Sequence, residues 1–154
     1  MEEIIRPISF NYSLMEKKNI EFSVPGKPRG KERPRTVRFG NRITTYTPKN
    51  TVEYENLIRD QYTKYIGNTK LEDAIEANIT GIFPVPKSTS KKIKEEMLNG
   101  NIRYTKKIDC DNLAKVILDA LNKTAYDDDS QVCKLIVMKE YGEEPMVKVN
   151  LKEI

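Results

Sequence analysis

Between Asp109 and Val132 the chain reads DCDNLAKVILDALNKTAYDDDSQV, and the middle of that stretch has helical spacing. Leu113, Val116, Ile117, Ala120 and Leu121 recur at i, i+3, i+4, i+7 and i+8, while Asp111, Lys115, Asp119 and Asn122 fall on the other side. A helix so apolar on one face must bury it against a second layer, and the flanking sequence supplies strands. IEFSV at 20–24 alternates with period two and closes at Pro25-Gly26; AIEANITGIF at 74–83 reads as a strand ended by Pro84 and Pro86. QVCKLIVMKEYG and PMVKVNLKEI read as two long strands forming a hairpin around Gly142-Glu143-Glu144-Pro145.

Two more helices are expected. After Pro48, NTVEYENLIRDQYTKYI spaces Val52, Leu57, Ile58, Tyr62 and Ile66 for an amphipathic helix ending near Gly67. KSTSKKIKEEMLNG places serine and threonine caps before a short helix that stops at Gly100. The order strand, loop, helix, strand, helix, helix, strand, strand is an α+β pattern, and 154 residues fit one domain with a real core.

Composition narrows the chemistry. There is no histidine, which removes the commonest general base and the commonest transition-metal ligand together. Carboxylates, lysines and hydroxyls remain, and oxygen ligands point to a hard divalent cation such as Mg²⁺ or Mn²⁺. Cys110 and Cys133 lack CxxC spacing, so neither a disulfide framework nor a thiolate metal site is expected. No segment has the order of a secretion signal or the length of a membrane span, so the expected location is cytoplasmic.

The net charge of +4 is unevenly distributed. From 26 to 49, GKPRGKERPRTVRFGNRITTYTPK holds one acid, Glu32, among many cations, and a short hairpin is expected around Gly40-Asn41. Lys27, Arg29, Lys31, Arg33 and Arg35 alternate, and Pro28 and Pro34 favour extended backbone, so these cations are placed to meet a phosphate chain like a comb. Arg103, Lys106 and Lys107 add charge just before Asp109. A solvated loop is the ordinary fate of such a run, but cations beside a candidate cation site describe a phosphodiester ligand.

The acids have ordinary readings too. Asp109 and Asp111 leave one face if 108–110 is extended, and Asp111 then lies at or near the helix N-cap. Asp111 and Lys115 form an unexceptional i, i+4 pair. Asp127, Asp128 and Asp129 crowd three like charges before a strand; solvation on an exposed loop can absorb that cost, or a short return loop could bring them back beside Asp109 and Asp111, where a cation would relieve their repulsion. An EF-hand is excluded by Ala114 and Ala120 at its glycine and terminal-acid positions, and the chain has no glycine-rich strand-to-helix turn for a sugar nucleotide.

This segment resembles the D-x-D-N-x-x-K, D-A-L-N and D-D-x-Q-V signature of the RusA family of Holliday junction resolvases, and YTKK, PGKPRGKERPR and TYTP extend the likeness from about Ile20 onward. The resemblance implies a small mixed β-sheet with helices packed against it, in one domain over 19–154 behind a tail at 1–18. It implies a homodimeric, Mg²⁺-dependent endonuclease, with Mn²⁺ an alternative ion, that resolves four-way DNA junctions by paired nicks in recombination and repair. Carried over position by position, its catalytic residues are Asp109, Asp111, Asp129 and Lys115, its metal ligands Asp109, Asp111, Asp128 and Asp129. Lys27, Arg29, Lys31, Arg33, Arg35, Lys106 and Lys107 would face the DNA. Asp127 has no counterpart, Ile108 stands where proline is common and Cys110 where leucine is usual. A structure-selective nucleic-acid-binding protein, and a nuclease for RNA or other branched DNA, remain alternatives; acids beside the phosphate contacts argue against a pure binder.

Overall fold

In the computed structural model, which describes residues 16–154, the chain opens with strand β1 (Asn19–Pro25) and a hairpin of β2 (Arg35–Phe39) and β3 (Arg42–Tyr46). Helix α1 (Lys49–Ile66), strand β4 (Ile75–Pro84), helix α2 (Lys91–Leu98), helix α3 (Cys110–Leu121), β5 (Val132–Gly142) and β6 (Met146–Glu153) follow. Most of the expected tail, 1–15, lies outside the described residues. Lys17 and Lys18 are tied to the body, Lys18 N–H donating to Glu153 at 2.8 Å and Lys17 pairing with Asp73 at 3.1 Å.

β1, β6, β4 and β5 form a four-stranded mixed sheet in that order, with β4 parallel to β5 and antiparallel to β6. β4 takes the interior place because it is the most thoroughly buried strand, with Ile75, Ala77, Ile79, Ile82 and Phe83 all enclosed. One face of the sheet, carrying Phe22, Val24, Ile79, Val147, Val149 and Leu151, packs under Ile58 and Tyr62 of α1 and Val116, Ile117 and Leu121 of α3 in one core. Phe22 meets Tyr62 edge-on at 5.5 Å.

Two expectations about elements need correction. β5 and β6 are not a hairpin: the chain leaves β5 at the rim, turns through 143–145 and lays β6 on the far side of β4. The inward row of β6, Val147, Val149 and Leu151, is fully buried, whereas β5 exposes most of its side chains, so burial rather than chain proximity decides the neighbour. On α1 the buried stripe is Thr51, Tyr54, Ile58 and Tyr62, with Val52 exposed, because the Thr51 hydroxyl accepts Glu32 N–H at 3.0 Å and anchors the basic loop there.

The second face of the sheet is polar. Glu76 accepts from Lys134 at 2.9 Å, Lys152 at 3.1 Å and Asn78 at 3.3 Å, and these hydrogen bonds pull its pKa down to about 2. A carboxyl whose folded pKa lies below the unfolded one, roughly 4.3, stabilises the fold above that pH and loses its contribution as pH falls through the folded value. Urea midpoints of the parent should therefore fall more steeply between about pH 4 and 2 than those of Glu76→Gln; parallel curves would show that Glu76 contributes no linkage.

Candidate active site

Helix α3 begins where the expected acids lie, but its cap is one position pair earlier than expected. Asp109, with extended backbone, accepts Asn112 N–H at 2.9 Å, and Asp111 is already in the first helical turn. A carboxylate at either place favours the positive end of the helix. This end of α3 is fixed from below: Tyr104 stacks on Phe83 at 3.8 Å, donates to Lys107 O at 2.5 Å, and Lys139 of β5 donates to Ile108 O at 2.8 Å.

The basic loop docks on the same end. Asn112 Oδ1 accepts Lys31 N–H at 3.0 Å, and Gly30 sits so close that a Cβ there would lie 2.4 Å from Asn112 Nδ2. Lys27, Arg29, Lys107 and Asn112 line an open cleft of about 650 Å³. Arg33 and Arg35 follow it outward, exposed, with Arg35 3.6 Å from Glu32. Lys106 shares a smaller pocket with Lys27 and Tyr104.

Lys31 does not belong with the comb. Its ammonium turns inward to Asp119 at 2.6 Å and Glu55 at 3.6 Å. Partial burial disfavours its charge, but the Asp119 hydrogen bond and the Glu55 carboxylate outweigh that and raise its pKa. It ties the loop to α3 and α1, a job that alternation in sequence could not distinguish from phosphate contact.

The acid triplet is not brought back to Asp109 and Asp111. Asp127 pairs with Lys70 at 3.0 Å; Asp128 caps the short 3-10 turn Asp129–Gln131 through Ser130 N–H, and the Ser130 hydroxyl, with that N–H second, lowers its pKa. Gln131 donates to Leu71 O and Asp73 O, pinning the turn to the approach to β4. Burial raises the Tyr126 phenol's pKa, and the nearby negative charges of Asp129, Asp119 and Asp128 add to it; that phenol donates to Leu118 O at 2.6 Å. The triplet therefore lies at the C-terminal end of α3, a helix about 18 Å long, with Asp109 and Asp111 at the other. A return loop of this length closes on the nearer end.

The donor chemistry suits a hard cation, being carboxylate oxygen throughout, but its placement does not: among the described residues no three acids, cysteines or histidines stand close enough together to hold a metal. Asp111, Lys115 and Asp129 are exposed and make no ion pair or side-chain hydrogen bond among the described residues. The Asp111 and Lys115 helix pair is thus not formed.

Sequence reading passed over the apolar side chains of the hairpin. Phe39 and Ile43 are 71% and 69% exposed, set among Arg35, Arg38 and Arg42, and Tyr46 lies opposite Arg35. Aromatic residues interleaved with arginines were visible in RTVRFGNRITTY, but a hairpin's large hydrophobics ordinarily face a core.

A helix-covered α+β sheet with a basic cleft at unpartnered carboxylates defines a class of domain that meets a polyanion through one face. The comparisons name the family. The description "Endodeoxyribonuclease RusA" matches residues 25–152, and the chain belongs to the RusA endodeoxyribonuclease family. It is also similar to "Uncharacterized protein YqaN" of Bacillus subtilis (strain 168), 34% identical over 137 residues, covering 88% of this chain and 96% of that one. No helix among the described residues is long and apolar enough to cross a membrane.

Each phosphate contact contributes roughly 0.9 to the slope of log affinity against log salt, so Arg33→Ala with Arg35→Ala should flatten that slope for DNA by nearly two. Lys31→Met should leave the slope unchanged and lower the melting temperature instead. A slope change for Lys31→Met equal to one full contact would return Lys31 to the DNA face.

Proposed function

We propose that the protein is a Mg²⁺-dependent endodeoxyribonuclease that resolves four-way DNA junctions by paired nicks, acting as a homodimer in recombination and repair in the cytoplasm. The observation that carries this reading is the state of Asp111, Lys115 and Asp129: exposed, without partners in the fold, and standing at the acid and lysine positions of the family signature. Charges left unpaired on the surface are available to a ligand; Asp111 stands at the end of α3 on which the basic loop docks, and Asp129 at the other.

In this reading Lys27, Arg29 and Lys107 bind the phosphate backbone at the cleft, and Arg33 and Arg35 extend that contact. Lys115, one turn beyond Asp111, holds a positive charge near the scissile phosphate. Asp109 has two duties, since its Oδ1 also holds the first turn of α3 through Asn112 N–H. The divalent ion supplies Lewis acidity and a deprotonated water when bound.

Incubation of a labelled four-way junction and its matched duplex, with Mg²⁺ and with EDTA, is the direct test. Symmetric nicks on the junction alone, abolished by EDTA, are expected; equal cutting of duplex, flapped DNA or RNA would replace the substrate. Asp111→Asn should abolish cleavage while junction binding persists or tightens, because one repulsive charge leaves the phosphate face. Lys115→Ala should slow the single-turnover step at saturating junction with affinity little changed. Parental single-turnover rates for Lys115→Ala would remove that lysine from the chemistry.

A further inference from the structure

We infer that the β2–β3 hairpin recognises the branch point of the DNA: Phe39 and Ile43, one on each face of the ribbon, lie against base-pair ends that open where duplex arms part, while Arg35, Arg38 and Arg42 hold the phosphates beside them. The inference rests on the branched substrate proposed above; the chemistry of the ribbon rests on its own residues.

The ribbon is built out of the wall of the basic cleft. Glu32 before β2 and Asn50 and Thr51 after β3 line that cleft, and Thr51 accepts Glu32 N–H at 3.0 Å, so the two ends of the hairpin are tied together there. From Arg35 to Phe39 the strand advances about 13 Å at roughly 3.3 Å per residue, which sets the tip clear of its base. Between Glu32 and Glu53 the chain holds no acid, while Arg33, Arg35, Arg38, Arg42 and Lys49 supply five cations.

The register divides the ribbon into two faces. Arg35 with Tyr46, Val37 with Thr44 and Phe39 with Arg42 share one; Thr36 with Thr45 and Arg38 with Ile43 share the other, where the two threonine hydroxyls meet at 3.3 Å. Each large apolar side chain thus stands directly across from an arginine. Phe39 and Ile43 are the two most exposed large hydrophobics among the described residues, and they flank the turn at Gly40-Asn41 on opposite faces. A single flat partner covers one of them. A gap between two surfaces covers both.

The occupant follows from that chemistry. A second hairpin is a poor one, because like charges would face one another. The groove of an intact duplex suits the cations but not the tip: base edges are read there by hydrogen bonds, and apart from the thymine methyl they offer nothing to a phenyl ring or an isoleucine. Base faces do, since stacking on an aromatic ring is favourable for every base and arginine adds attraction to the phosphates alongside. In linear duplex those faces are covered by their neighbours. Where arms part, each arm ends in a base pair with one face open, and a ribbon about 10 Å thick, the spacing of packed sheets, fills the space between two such ends.

Junction and linear-duplex affinities, measured in EDTA so that no strand is cut, test the ribbon. Phe39→Ala with Ile43→Ala should lower junction affinity roughly tenfold or more, with duplex affinity and the melting temperature unchanged. The chain holds no tryptophan, so Phe39→Trp places a lone reporter at the tip. Its emission should be quenched by the junction and not by the duplex, with junction affinity at or above the parental value. That variant keeps the test decisive even if the alanines unravel the ribbon.

Equal losses on junction and duplex, or a tryptophan quenched alike by both, would make the ribbon a groove contact and overturn the branch-point role. Unchanged affinities with an unquenched tryptophan would do the same, as would a ribbon whose alanine variants lose binding to anionic lipid vesicles and keep the junction. Cleavage is read separately with Mg²⁺. A parent that binds the junction through the ribbon but cuts nothing sinks the nuclease reading and leaves the branch-point role standing; one that cuts junctions while Phe39→Trp stays unquenched keeps the nuclease reading and loses the ribbon.

Discussion

The close approach of α3 to β4 sets the height of everything on the helical face. Leu113 lies over Gly81 so tightly that a Cβ on that glycine would stand 2.8 Å from Leu113 Cδ2. With the helix seated there, Val116, Ile117, Ala120 and Leu121 reach the core without a gap, and the polar side of α3 is carried along the rim of the sheet. The ends of α3 are fixed by different layers: its start by Tyr104, Lys139 and the basic loop, its end by Tyr126 and the turn that follows.

Much of this was legible locally. Periodicity found α3, the proline and glycine punctuation found β1 and the hairpin turn at Gly40, and Ser90 caps α2 as its position before the apolar spacing implied. What could not be read was pairing over distance. Adjacent strands separated by a short turn favour a hairpin, and only the greater burial of β4 over β5 explains why β6 passes to the other side. The same limit applied to the acids, because spacing along the chain bounds the reach of a return loop and does not say which end of the helix it meets. Lys31 illustrates a third limit, since a cation's partner, Asp119, was 88 residues away.

The cleft and the acids belong to one electrostatic design. Lys31 and Arg59 together neutralise Asp119 and Glu55 inside the scaffold, and Lys27, Arg29 and Lys107 remain as outward charge at the α3 start. Asn112 then fixes the loop without charge, through a single backbone hydrogen bond and the absence of a side chain at Gly30.

The β2–β3 hairpin has a different status from the rest of the fold. Of its ten strand residues only Val37 is even half-buried, so its sequence is almost unconstrained by packing. Substitutions at Phe39, Arg38, Ile43 or Arg42 leave the core intact, and the chain is free to vary there at little cost to stability. The ribbon least packed on its scaffold is therefore also the part most open to evolutionary drift, and relatives with one core can diverge in what they touch by exchanging it.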